Sequence, residues 1–110
     1  MVNKWHDYPT GPDGKAPDTI HAVIENPTGT KNKYEYDKDK ESVVLDRVLH
    51  SSIHYPGDYG FIPQAYYEDG DPMDILVLTT HPTFPGCVIE VRPVGILYMD
   101  DDGEQDDNII

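Results

Sequence analysis

The segment Asp74-Ile75-Leu76-Val77-Leu78-Thr79, residues 74–79, is the clearest indicator of the fold class. It is a short apolar run that follows Gly70 and Pro72, and a run with these bounds is typical of a buried β-strand. No window shows a sustained apolar period of about 3.6 residues. Short strands separated by turns predict a mainly β fold with little helix, a small antiparallel barrel. The other runs with strand character are residues 20–25, 33–37, 43–49, 87–92 and 94–99.

A single domain accounts for most of the 110 residues. We expect an N-terminal arm at residues 1–19, where Gly and Pro are frequent, and we expect it to dock through Trp5 and Tyr8. The barrel is predicted to occupy residues 20–110. The chain closes on the apolar pair Ile109-Ile110, whereas most termini are polar. This pair fits a C-terminal strand that docks or, as we expect, a strand cut off at its start in a chain shorter than its domain.

The charge balance excludes several classes of partner. The chain has 8 Lys and Arg against 21 Asp and Glu, a formal net charge of −13. Binding to nucleic acid or to an anionic membrane surface needs a basic face, so we expect neither partner. The single cysteine, Cys87, forms no internal disulfide, and the sequence shows no signal peptide and no apolar stretch of about 20 residues. These features predict a cytoplasmic protein.

The acidic excess has two interpretations, and we expect both to hold. One is a solvated acidic surface of the kind found in salt-rich cytoplasm, where ions screen self-repulsion; it predicts stability that rises with molar salt. The other is a cation site, because clustered carboxylates repel one another unless a hard cation lies among them.

The segment Asp69-Gly70-Asp71-Pro72-Met73-Asp74 is the most specific acidic cluster. A flexible Gly and a Pro with fixed φ separate its three carboxylates and turn them toward one point. An EF-hand loop is excluded, since its sixth position should be Gly and here is Asp74; a plain acidic turn stays open as the alternative. Asp101 and Asp106, on either side of Gly103, could fold back to face this segment. An all-oxygen site favours Mg²⁺, Mn²⁺ or Ca²⁺.

Two cations in predicted strands, Lys33 and Arg47, are candidates for binding an anion. In isolation, Arg47 in an apolar strand is an ordinary edge residue. Beside metal-binding carboxylates, however, Arg and Lys form a natural clamp for phosphate. Tyr55 and Tyr59 flank Pro56-Gly57 and are expected to offer two hydroxyl donors from one loop; packing beneath that loop is the alternative.

From about Ile20 to its end, the sequence resembles the soluble inorganic pyrophosphatases of family I, in an acidic, halophile-like version. The Asp-Gly-Asp-Pro-x-Asp block is close to diagnostic of that family, and every block occurs in the family's order and spacing. The blocks that carry the resemblance are Asn32-Lys33-Tyr34-Glu35, Leu45-Asp46-Arg47, Tyr55-Pro56-Gly57-Asp58-Tyr59-Gly60-Phe61-Ile62-Pro63, Asp69-Gly70-Asp71-Pro72-Met73-Asp74 and Arg92-Pro93-Val94-Gly95.

The resemblance implies a closed, five-stranded, OB-like antiparallel barrel whose mouth hydrolyses inorganic diphosphate to two phosphates with Mg²⁺, or Mn²⁺ in its place, as cofactor. It implies a homo-oligomer, since relatives form hexamers or dimers. It also implies a role for each matching residue: Asp71 as general base for the attacking water; Lys33, Arg47 and Tyr59 in phosphate binding; Asp69, Asp74 and Asp106 as ligands of activating Mg²⁺, with Asp74 bridging two ions; Asp101 as a ligand of metals that arrive with substrate; and Glu25, Glu35 and Tyr55 in support.

Two departures from the family bear on activity. The family has a Lys for the leaving phosphate where this chain has Asn108, and it continues into another strand, a Tyr-Lys pair and a packing helix. We therefore expect slow or absent hydrolysis by this chain alone. The alternative function is a truncated, non-catalytic barrel that binds cations or phosphate. An OB-type oligonucleotide binder is a third class, and the charge balance argues against it.

Overall fold

The computed structural model describes residues 7–29, 31–48, 57–66, 70–98, 100–101, 104–105 and 108–110. These residues form ten strands and no helix, which confirms the predicted mainly β class. None of them forms a helix long and apolar enough to cross a membrane. The strands are β1 (Ile20–Asn26), β2 (Asn32–Asp37), β3 (Ser42–Val48), β4 (Asp58–Tyr66), β5 (Pro72–Val77), β6 (Val88–Val91), β7 (Ile96–Leu97), β8 (Asp100–Asp101), β9 (Glu104–Gln105) and β10 (Asn108–Ile109).

The largest sheet has six strands in the order β6-β1-β4-β5-β10-β7, and β2-β3 and β8-β9 form separate two-stranded sheets. Within the described residues the sheets are not closed, which differs from the closed barrel of the resemblance. The pairing is antiparallel except between β5 and β10, which are parallel. A parallel pair needs a long crossover connection, and the chain between β5 and β10 supplies one through β6 to β9.

Strand β4 lies at the centre of the large sheet, although the sequence analysis placed Tyr59 in a loop. That placement was wrong because Gly and Pro usually interrupt a strand, whereas Gly60 and Pro63 both lie within β4. Gly60 is instead required by close packing: a Cβ there would overlap the backbone carbonyl of Val23 on β1. Pro63 lies in an irregularity of the β4–β5 register, beside Gln64 at φ 59°.

Both faces of the β1–β4 region are buried, and every residue of β1 except Glu25 is buried. One face carries the main core cluster, with Ile24 and Ile75 almost completely buried. The opposite face joins Val23 and Phe61 to Tyr36 of β2, and the rings of Tyr36 and Phe61 lie 5.7 Å apart between centroids. This second cluster holds the β2–β3 hairpin against the sheet.

The described part of the N-terminal arm contacts β1 and β4. The ring of Tyr8 packs edge-on against His21 with centroids 5.0 Å apart, and the Thr10 hydroxyl donates to the Pro63 carbonyl at 2.8 Å. Gln64 donates to the Tyr8 carbonyl at 2.7 Å. Docking through Tyr8 thus agrees with the sequence analysis, whereas Trp5 lies outside the described residues.

Candidate active site

The predicted acidic segment leads directly into β5. Asp71 is exposed immediately before this strand, and Asp74 is half-buried within it. In the strand register Asp74 lies between Phe61 of β4 and Asn108 of β10. Asn108, where the resemblance leads us to expect a lysine, is therefore a direct neighbour of a predicted metal ligand.

Part of the predicted site falls outside the residues that the structure describes. Tyr55, Asp69 and Asp106 belong to this part, and Asp101 is described in its backbone only, as part of β8. The remaining predicted residues are distributed over β1 to β5 and the turn before β5.

The side chain of Glu25, near the end of β1, brings three of the predicted residues together. Burial is the main cause that raises the pKa of Glu25 from 4.5 to about 7, and the negative charges of Asp74 and Glu35 act in the same direction. The Tyr36 N–H, which donates to Glu25 Oε2 at 2.9 Å, and the charge of Lys33 oppose that rise in pKa. Residues of β2 and β5 thus lie close enough to Glu25 on β1 to affect its protonation.

The two predicted phosphate-binding cations face each other across the hairpin. Lys33 on β2 is paired in register with Arg47 on β3, and directly opposed residues project from the same face. Each cation contacts an acid near it in sequence: Lys33 Nζ lies 3.4 Å from Glu35 Oε1, and Arg47 Nε lies 3.6 Å from Asp46 Oδ2. Like charges opposed in this way are unfavourable by themselves. Such a pair is suited to an anion bound between the two cations.

Tyr59, the third predicted phosphate ligand, is half-buried on β4 and lies between Asn26 of β1 and Leu76 of β5 in the register. Its strand is the neighbour of the strand that carries Asp74. The described residues therefore place the tyrosine in the rigid central sheet and the two cations on the hairpin beside that sheet.

The donor set fits a hard divalent cation. Asp74, Glu25 and Glu35 supply only carboxylate oxygens, the ligand type that Mg²⁺ and Mn²⁺ prefer. Burial is the main cause of the raised pKa of Glu25, and the negative charges of Asp74 and Glu35 add to it; a cation nearby would offset those charges. Among the residues that the structure describes, no group of three or more His, Cys, Asp or Glu is arranged to hold a metal. Two of the predicted metal ligands, Asp69 and Asp106, lie outside those residues.

Two buried polar residues beside the site, Asn26 and Asp58, were not among the predicted site residues. Asn26 is 6% exposed, and its Oδ1 accepts the Tyr34 N–H at 2.7 Å. Asp58 has no exposed surface and accepts hydrogen bonds from Thr28 and Thr83. Burial alone would raise the pKa of Asp58, but these hydrogen bonds outweigh it and lower the pKa below its usual range. For Asp58 the available signal was its place in the block of residues 55–63 that carries the resemblance, whereas Asn26 beside Pro27 indicated only the end of a strand.

Comparisons with a family model and with individual proteins point to the same family. The family model described as inorganic pyrophosphatase matches residues 22–110. The chain is 67% identical over 110 residues to the inorganic pyrophosphatase of Halobacterium salinarum, and 66% identical to that of Haloferax volcanii. It covers 61% of each of those proteins, and all 110 of its own residues are matched.

The fold agrees with solved structures. The crystal structure of the inorganic pyrophosphatase from Thermus thermophilus matches with a TM-score of 0.87 and 50% sequence identity, over 99% of this chain and 60% of that one. The structure from Coxiella burnetii matches with a TM-score of 0.83 at 39% identity, over 93% of this chain and 60% of that one. The chain thus spans about three fifths of the length of the relatives named here.

Proposed function

The chain belongs to the inorganic pyrophosphatase family, and we propose that it forms the metal- and phosphate-binding part of a site that hydrolyses inorganic diphosphate to two phosphates. The observation that carries the proposal is the convergence of Glu25, Lys33, Glu35 and Asp74 from three strands. A buried carboxylate with two further carboxylates and a lysine within electrostatic reach suits a ligand that combines divalent cations with a polyanion.

The acidic residues would hold the cations. Asp69, Asp74 and Asp106 are the proposed ligands of Mg²⁺, or of Mn²⁺ in its place, and Asp101 is the proposed ligand of ions that enter with substrate. When bound, such ions supply positive charge that stabilises the phosphoryl oxygens and acidifies water. This charge also resolves an electrostatic problem, because a protein of net charge −13 repels diphosphate.

The other side chains would handle the substrate. Lys33 and Arg47 bind phosphoryl oxygens from the hairpin, and Tyr59 donates from the central sheet; all three stabilise negative charge as it spreads during transfer. Asp71, exposed before β5, accepts a proton from the attacking water. Glu35 holds Lys33 in place through the 3.4 Å ion pair, and Glu25 and Tyr55 complete the surroundings of the site.

A second candidate function is a non-catalytic barrel that binds cations or phosphate. It is favoured by Asn108, which is buried beside Asp74 and carries no positive charge where a relative would have one. Under this alternative the chain binds Mg²⁺ and phosphate without turnover.

The decisive experiment is phosphate release from diphosphate with and without Mg²⁺, together with calorimetric Mg²⁺ binding. Asp71→Asn should lower kcat by about 10²–10⁴-fold, since general-base catalysis is worth that much, and should leave Mg²⁺ affinity nearly unchanged. Asp74→Asn should weaken Mg²⁺ binding, and Asp13→Asn, an exposed acid in the arm, is the charge-matched control.

We expect hydrolysis by this chain to be slow; a rate within tenfold of a full-length relative would contradict that expectation. Mg²⁺ binding without any Asp71-dependent hydrolysis would favour the second candidate function. Hydrolysis unaffected by Asp71→Asn, or Mg²⁺ affinity unaffected by Asp74→Asn, would contradict the roles proposed for those residues.

Assembly and location are the remaining parts of the proposal. We infer a homo-oligomer, because Ile96, Leu97 and Tyr98 expose 40%, 45% and 72% of their surface near one edge of the large sheet. We place it in the cytoplasm, because a single cysteine fits a reducing compartment. Sedimentation velocity across a range of protein concentrations tests this inference, and a monomer at every concentration would contradict it.

A further inference from the structure

The β2–β3 hairpin is attached to the large sheet by side chains. Strands β2 and β3 pair with each other, and the described ladders include none between β1 and β2. Two side chains of β1 instead accept backbone N–H groups of β2. Asn26 Oδ1 accepts from Tyr34 at 2.7 Å, and Glu25 Oε2 accepts from Tyr36 at 2.9 Å.

A bulge in β1 makes this attachment possible. In the β1–β4 register Ile24 pairs with Gly60 and Asn26 pairs with Tyr59, so Glu25 is the extra residue. In a regular strand, consecutive side chains point to opposite faces, but a bulge redirects them. Two consecutive residues can then both accept from β2, whose Tyr34 and Tyr36 N–H groups are two residues apart and point the same way.

We propose that Asn26 is a positioning residue for phosphate binding. This inference rests on the proposed function. It identifies a residue that sets the distance between the side chains proposed to bind phosphate. Tyr34, which Asn26 holds, directly follows Lys33, and Lys33 is paired with Arg47. Asn26 itself is paired with Tyr59. One buried amide thereby connects the strand of the tyrosine to the hairpin of the two cations.

The chemistry of an amide suits this position. Asn26 is 6% exposed, and a buried backbone N–H needs an acceptor. A carboxylate would also accept, but it would place a second acidic side chain next to Glu25 in a buried position. The register of the hairpin is itself irregular between Lys33 and Tyr34, so the ladder leaves this end of β2 less constrained. The hydrogen bond to Asn26 fixes that end.

The test removes the acceptor at similar volume. Asn26→Leu is compared with Ser42→Ala, which deletes a hairpin hydrogen bond to the Lys40 carbonyl at the opposite, exposed end. Two measurements are made: amide hydrogen exchange at Tyr34, and the dissociation constant of methylenediphosphonate with Mg²⁺ by calorimetry. A double variant with Lys33→Ala shows whether Asn26 acts through the hairpin cation.

We expect Asn26→Leu to expose the Tyr34 amide to exchange and to weaken methylenediphosphonate binding about tenfold, the effect of losing one buried hydrogen bond. Ser42→Ala should change the affinity less than about twofold. In the Lys33→Ala background, Asn26→Leu should have little further effect on affinity, whereas a general loss of stability would weaken binding in both backgrounds.

The inference and the proposed function fail in different ways. Undiminished Tyr34 protection in Asn26→Leu, or unchanged affinity in that variant while Lys33→Ala weakens binding, would overturn the inference alone. An affinity indifferent to Lys33→Ala and Arg47→Ala would overturn the proposed function. A fully additive effect of Asn26→Leu and Lys33→Ala would show that Asn26 does not act through the hairpin cation.

Discussion

Asp58 accepts two hydrogen bonds from Thr28 through the same oxygen, Oδ1: one from the backbone N–H and one from the hydroxyl, each at 2.9 Å. Its other oxygen accepts from the N–H and hydroxyl of Thr83. Thr28 lies between β1 and β2, and Thr83 lies between β5 and β6. A single carboxylate at the start of β4 therefore connects two turns that are distant in sequence.

The substitution Asp58→Asn should destabilise the fold by about 2–4 kcal/mol, because an amide NH₂ replaces one acceptor and leaves two buried donors unmatched. Urea unfolding at pH 7 measures this difference, with Asp13→Asn as the exposed control. Equal unfolding free energies for Asp58→Asn and the parent chain would contradict the assigned role.

The stability difference between the parent chain and Asp58→Asn should depend on pH, because the pKa of Asp58 is lowered in the folded state. A carboxyl whose pKa is lower in the folded state stabilises the fold above its unfolded pKa, 3.8, and loses that contribution as the pH falls through the folded pKa. The stability difference between the parent chain and Asp58→Asn should therefore be constant above about pH 5 and shrink below pH 3.8.

Glu25 should give the opposite pH dependence in metal-free buffer. Its pKa is raised from 4.5 to about 7 on folding, first by burial and then by Asp74 and Glu35. Between these values the folded state binds more protons than the unfolded state, so stability falls as the pH rises. Relative to Glu25→Gln, which does not titrate there, the parent chain should lose up to about 3 kcal/mol from pH 4.5 to 8.

Unfolding in denaturant at several pH values in EDTA measures this loss, with Glu41→Gln as the exposed control. Addition of Mg²⁺ should flatten the pH dependence, because a cation beside Asp74 favours the charged form of Glu25. Parallel pH curves for the parent chain and Glu25→Gln without metal would show that Glu25 titrates normally.

Gly60 allows β1 and β4 to approach closely, and Gly60→Ala should cost more than about 2 kcal/mol, because the new methyl group overlaps backbone atoms that cannot move independently. Gly95→Ala is the matched control, since no atom of the described residues lies within 4 Å of the position that its methyl group would take. Thermal unfolding of both variants by circular dichroism tests the prediction, which fails if the two midpoints are equal.

The fold class could be predicted because apolar runs alone mark most of the large sheet. The runs 20–25 and 74–79 correspond to β1 and β5 within two residues at each end. Strand β4 could not be predicted in this way, because the need for glycine at position 60 is evident only once Ile24 is its partner and the Val23 carbonyl lies where its Cβ would be. Nor does the pattern indicate the parallel pairing of β5 and β10, which depends on the path of the chain between them.

The candidate site likewise contains residues that could be predicted from the sequence and one that could not. Asp71, Asp74, Lys33 and Arg47 lie in blocks whose residue types and spacing carry chemistry, and the register places the two cations opposite each other. Asn26 has no such signal, since beside Pro27 it indicates only the end of a strand. Its role arises from a bulge, and a bulge is defined by the partner strand as much as by its own sequence.

The net charge of −13 predicts that molar salt stabilises the fold. Repulsion among exposed carboxylates favours the unfolded chain, and the screening length falls from about 10 Å at 0.1 M to about 3 Å at 1 M. The melting temperature should rise by about 5 °C or more from dilute to molar KCl. The triple variant Asp13→Asn, Asp39→Asn, Glu90→Gln changes three exposed acids and brings the net charge from −13 to −10, so its salt-induced rise should be smaller. A melting temperature that stays flat or falls with KCl would mean that other terms outweigh carboxylate repulsion.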